Sequence, residues 1–137
     1  MARWSFRRGL TVLALGLVAA AVAAIAGVSY FMVARLSREE AMARVERAVE
    51  RAQGALARGL EPDLFETGTG VELVMRSRSE IEIAFDDPRV PLWREALEST
   101  RSARMIDGEV GAVAVRALPG EPPPGVLEAR IPAEAVE

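Results

Sequence analysis

The feature that most constrains this chain is a run of 25 residues without a charge, Leu10 to Ala34 (LTVLALGLVAAAVAAIAGVSYFMVA). At about 1.5 Å per residue, a helix of that length exceeds the roughly 30 Å hydrocarbon core of a bilayer, so the run predicts one slightly tilted membrane span. Arg3, Arg7 and Arg8 precede it, and the positive-inside rule places residues 1–9 in the cytoplasm, although Arg35 and Arg38 reduce the asymmetry. Trp4 at one end and Tyr30 with Phe31 at the other suit the two interfaces as aromatic anchors. The rest of the chain is then expected outside, in the periplasm next to a bacterial inner membrane. A removable signal peptide is the competing reading, because Ala24-Ile25-Ala26 has the small-x-small form of a cleavage site. The apolar stretch continues through Gly27 to Ala34, which favours a retained anchor; both readings export the residues beyond Arg35.

Two rows of small residues at spacing four, Gly16-Ala20-Ala24 and Ala19-Ala23-Gly27, allow close approach of two helix backbones and suggest a homodimer. An alanine-rich segment also contains such rows by chance. No Asp or Glu lies inside the span, which argues against a proton-conducting role.

From 35 to 60 the sequence (LSREEAMARVERAVERAQGALAR at its centre) lacks proline and is rich in helix formers, predicting a helical stalk. Met42, Val45, Val49, Ala52 and Leu56 recur at alternating steps of three and four, the seam of a coiled coil of about two heptads. A helix packed on its own domain gives the same pattern. The favoured expectation is a stalk that pairs with its twin. Ser37 and Glu40 form an S-x-x-E capping pattern, Glu40 and Arg44 sit at i,i+4, and Arg58-Gly59 marks the helix end.

Residues 61–70 read as a turn-rich linker and 71–131 as a small α+β domain, with 132–137 as a tail. Val71–Met75 and Ile81–Phe85 predict an antiparallel hairpin around Arg76–Ser79, with one sheet face covered and one wet. Asp87 is read as the N-cap of a helix beginning at Pro88, with Pro91 delaying it or tolerated, and Trp93 as the principal packing residue against the sheet. Asp107-Gly108 predicts a turn, the valine phase suggests a bulge near Gly111, and Pro119–Gly125 a loop outside any sheet interior. Val126–Ile131 is the last strand. These 61 residues are few for an independent core, so packing on the stalk or dimerisation is expected to supply further burial.

Composition excludes much chemistry. All seventeen basic residues are arginine, and the chain has no Lys, His or Cys, which leaves no thiol, imidazole or Schiff-base catalyst. The chain is therefore expected to be non-enzymatic and without a cofactor. Asp86-Asp87 with Glu82 suggests at most a hard-cation site, and no calcium loop frames it. Glu72 and Glu80 suggest at most a carboxylate dyad, which nothing else frames. Arg76, Arg78 and Arg104, with Arg101 beside them, form a candidate anion patch, and Trp93 is a candidate binding residue with them. Net charge is −3 and no basic stripe appears, which argues against nucleic acid.

The stretches RRGLTVLALGLVAAAVAAIAGVSYFMVARLSREEAMARVERAVE and GEVGAVAVRALPGEPPPGVLEARIPAEAVE together resemble the extracytoplasmic input region of a bacterial membrane sensor, of the sensor-histidine-kinase kind. That resemblance implies a PAS-like sheet of strand-strand-helix-strands order that feeds a signal through a dimeric stalk. It departs from the pattern in showing one membrane segment and no cytoplasmic signalling region. The stretch EIEIAFDDPRVPLWREALES is instead similar to the strand-helix-strand order of ferredoxin-like scaffold subunits in type II secretion and type IV pilus platforms. This second resemblance implies a structural partner within a membrane complex.

Overall fold

The computed structural model describes residues 2–60, 65–66, 70–99 and 101–136. It is an α+β chain in two compact units, one ending at Leu36 and one beginning at Ser37, and helix α1 (Ala2–Ala57) supplies residues to both. In the first unit, every large apolar side chain from Leu10 to Val33 is at least 60% exposed. This is the one described helix long and apolar enough to cross a membrane, with a mean hydropathy of 2.4 over its best 18-residue window. The helix ends where the sequence indicates: Gly59 takes a left-handed φ of 74°, and Leu60 donates its amide to the Ala55 carbonyl.

The second unit is built on an antiparallel sheet. Its strands are β1 (Phe65–Glu66), β2 (Val71–Ser77), β3 (Ala103–Asp107), β4 (Gly111–Ala117) and β5 (Gly125–Ile131), in spatial order β1-β2-β5-β4-β3. Between β2 and β3 lie helices α2 (Arg78–Ile83) and α3 (Val90–Glu98), and α4 (Ala133–Val136) follows β5. The expected last strand is thus confirmed one residue longer, and part of the tail is helical.

Three local expectations are corrected. Ile81–Phe85 is not a strand. Ser77 caps α2 by accepting the Glu80 amide, while the Glu80 carboxylate accepts the Ser77 amide, so a capping box overrides the alternation of Ile and Glu. Asp87 is not the N-cap of the next helix: α3 starts at Val90 after Arg89, with Pro91 in its first turn. The β3–β4 turn is longer than two residues, since Asp107 pairs with Gly111. Gly111 has a φ of 92°, and a Cβ there would lie 2.0 Å from the Ile131 carbonyl oxygen, so no other residue fits. The remaining residues of the 61–70 linker, apart from Phe65, Glu66 and Gly70, lie outside the described residues.

Both sheet faces are covered, which corrects the expectation of one wet face. On one face Val71, Leu73, Ala112, Ala114, Leu127, Ala129 and Ile131 form a core with Ala41, Val45, Ala48, Val49 and Ala52 of α1. On the other, Val113, Val115, Val126 and Ala103 pack against Ile81, Val90, Leu92, Trp93 and Ala96. The expected pairing seam is therefore used within the chain: Val45, Val49 and Ala52 are buried, and Met42 and Leu56 pack beside them. What reads as a separate stalk belongs, from Ser37 on, to the domain. A period of 3.5–3.6 residues does not distinguish a partner helix from the chain's own sheet, and here the sheet occupies the stripe.

Truncating Val49 to Ala is expected to cost about 2 kcal/mol of stability, read by chemical denaturation of the full chain in detergent. A Val45→Cys variant of this cysteine-free chain is expected to be protected from a maleimide reagent until denaturant is added. Rapid labelling of the folded protein would contradict the assigned packing.

Candidate functional site

On the α3 face of the sheet, one carboxylate is wholly removed from water. Glu128 sits in mid-β5 between Val74 of β2 and Val115 of β4, its cross-strand neighbours, and has no solvent exposure. A lone buried carboxylate is expensive, so its partners define the site. Arg89 donates from Nη1 to Glu128 Oε1 at 2.7 Å, and Trp93 donates its indole Nε1–H to Glu128 Oε2. Arg76, one diagonal step away on β2, brings Nε within 3.8 Å of Oε2, a charge contact longer than a hydrogen bond. That Nε is buried and has no hydrogen-bond partner among the described residues.

Two guanidinium groups lie over the indole ring. The Arg76 Cζ is 4.6 Å and the Arg89 Cζ 5.2 Å from its ring centroid, within the range of cation–π attraction. Arg89 is also gripped by Asp87, whose two oxygens accept from Nε at 2.9 Å and Nη2 at 2.7 Å, while the Arg89 amide donates to Asp87 Oδ1. These hydrogen bonds from the Arg89 side chain hold the Asp87 carboxyl below its ordinary range and raise the Arg89 pKa in return. The cluster is Asp87, Arg89, Glu128 and Arg76 around Trp93. Its formal charges balance, and it ties α3, the turn before it, β2 and β5 into one unit.

Of the residues singled out from the sequence, Arg76 and Trp93 meet here. Arg78 and Arg104 do not. Arg78 is exposed at the start of α2, its amide donating to the Pro124 carbonyl, and Arg104 crosses the other face to Glu46 of α1 at 3.0 Å. Arg101 is exposed after α3. The anion patch as a set of converging arginines is thereby corrected, because β-strand alternation sends Arg76 and Arg104 to opposite faces. The two residues missed were Glu128 and Arg89. A glutamate inside the apolar run of Val126 to Ile131 was the available signal, since a strand covered on both faces has no wet position for it. The other acids weighed are separately engaged or exposed: Glu72 accepts from Arg130 at 2.7 Å, Glu80 caps α2, and Glu82 and Asp86 face solvent. Among the described residues no group of three potential metal ligands converges.

The chain matches no protein-family profile, and comparison with curated proteins and with solved structures yields no match.

Replacing Glu128 by Leu strips Arg89 and the Trp93 N–H of a buried partner and is expected to cost about 3–5 kcal/mol, with Glu128→Gln losing less because an oxygen remains for one donor. Denaturation of a Trp4→Phe variant in detergent, followed by Trp93 fluorescence, measures both. For Asp87 the folded pKa is depressed, so its contribution is present above the unfolded value of about 4 and is lost as pH falls through the lower folded value. Below about pH 4 the melting temperature of the natural chain should fall more steeply than that of Asp87→Asn, and parallel profiles would refute the pairing.

Proposed function

We propose that this is a non-enzymatic, single-pass membrane protein, and that its domain from Ser37 onward is an extracytoplasmic interaction domain of the sensory-input kind. One observation carries the membrane assignment: α1 exposes all its large apolar side chains from Leu10 to Val33, a surface that hydrocarbon covers and water does not. Arg3, Arg7 and Arg8 before the span favour a cytoplasmic N-terminus and a periplasmic domain.

The sensory reading draws on element order. Two strands, two helices and three strands (β1-β2-α2-α3-β3-β4-β5) follow the order implied by the sensor resemblance, with β1 rather than Ile81–Phe85 as the first-hairpin partner. The scaffold resemblance loses support, because the EIEI segment meant to be its opening strand is helical in α2 up to Ile83. Input reaches α1 directly in this reading, since Val45 and Val49 of that helix are part of the domain core. Pairing of two copies, where it occurs, runs through the small-residue rows of the span and not through the occupied seam. The non-enzymatic assignment draws on the missing Lys, His and Cys and on the carboxylates of the buried cluster being held by arginine.

Fusions after Glu137 test the topology. Alkaline phosphatase is expected to be active there and green fluorescent protein dark, with the chain retained in membranes after an alkaline carbonate wash. A bright fluorescent fusion, or release into the wash, would overturn the assignment.

A further inference from the structure

A groove of about 780 Å³ opens on the domain where the sheet is unfinished. Strand β3 begins at Ala103, opposite Val115, whereas β4 continues to Ala117. Leu118 donates its amide to the Gly125 carbonyl at 2.9 Å, so its backbone polar groups face β5. In an antiparallel ladder the next residue back faces the other way, which turns the amide and carbonyl of Ala117 toward the side β3 occupies. Ser102 and Arg101, which lead into β3, form no ladder pair with Arg116 or Ala117, and the Arg101 amide donates instead to the Ser99 hydroxyl. The groove is lined by Ala117 and Leu118, by Leu97 at the end of α3, and by the end of the α1 segment around Gly54. Leu97 and Leu118 are half-buried, each resting on a different core cluster, so the floor is apolar.

The rim carries Glu50, Glu98 and Glu121 against the single Arg116, and the ion pairs among the described residues of the domain involve none of the four. An open strand edge beside an apolar floor suits an added strand, and the excess of carboxylates selects for positive charge. We propose that this groove is a strand-addition site for an extended, basic peptide segment of a partner protein. The segment pairs with Ala117 in line with β3, sets apolar side chains on Leu97 and Leu118, and places basic ones toward the glutamates. This names the partner chemistry for the interaction domain proposed above and rests on that reading, but its test does not depend on which side of the membrane the domain occupies.

The test uses the full chain, ¹⁵N-labelled, in phosphatidylcholine nanodiscs. The probe is an acetylated hexapeptide of alternating valine and lysine, compared with its valine–glutamate twin. The basic peptide is expected to shift the Ala117 and Leu118 amides saturably and to bind about tenfold more tightly than the acidic one. The Glu98→Gln/Glu121→Gln pair should weaken it about threefold or more with no change in melting temperature. Ala117→Pro, which removes the pairing amide, should abolish binding; the glutamate pair leaves the backbone intact and guards against a folding defect in the proline variant. The proposal is overturned by the absence of a saturable shift, by equal binding of the two peptides, or by shifts confined to other residues. It is equally overturned if the same amides shift with protein concentration alone, which would make a second copy the occupant.

Discussion

A sheet covered on both faces needs two apolar layers, and here that requirement decides what the second half of α1 does. Residues 71–131 supply a cover for only one face, through α2 and α3. The other face would lie open with Leu73, Leu127 and Ile131 upon it, so the stripe Ala41-Val45-Ala48-Val49-Ala52 is drawn onto it. Small side chains make up much of this layer: alanines at 41, 48 and 52 of α1 and at 112, 114 and 129 of the sheet belong to the same buried cluster. Part of the high alanine content is thus a packing requirement.

The opposite face is held by a different kind of interaction. Trp93 is the largest buried side chain of α3, and its one polar atom must find a partner where there is no water. Glu128 is that partner, and its charge in turn requires Arg89, which requires Asp87 to hold it. Each member removes the penalty of burying the one before. Such a chain is a weak source of net stability but a strong constraint on geometry, because moving α3 by a fraction of an ångström breaks several directional bonds together. Arg76 completes the stack over the indole through charge and the ring face, with its Nε left without a hydrogen bond among the described residues.

The α+β class, the apolar span, strand β5, the proline loop and the burial of Trp93 were legible because each has a local cause: unbroken hydropathy, a short segment with four apolar residues in six, missing amides, a large indole. Two errors concern the sheet. The unbroken burial of Gly111–Val115 and Gly125–Ala129 is the mark of strands covered on both sides, whereas the wet face was read from the alternation of Ile and Glu at 80–85, a segment that is helical, and the α1 stripe was assigned first to a twin helix. The segment RSEIEI shows the complementary failure, where period-two alternation was visible but a four-residue capping box outweighed it. Half of the polar cluster was legible as Arg76 and Trp93. The other half depended on Glu128 meeting residues 35 and 39 positions away, which no local pattern encodes.

The two faces therefore differ in what resists their movement. Across the α3 face, directional hydrogen bonds to Glu128 fix position and rotation. Across the α1 face, contact is made by methyl groups and valines whose attraction is nearly indifferent to small displacements, and its charged tie, Arg104 to Glu46, is partly solvated and correspondingly weak. The groove beside Ala117 is bordered by Glu50 and Gly54 of that segment and by the end of α3, so an occupant would touch the compliant layer and the fixed one together. The element with the least directional restraint is the same helix that carries the apolar run from Leu10 to Ala34.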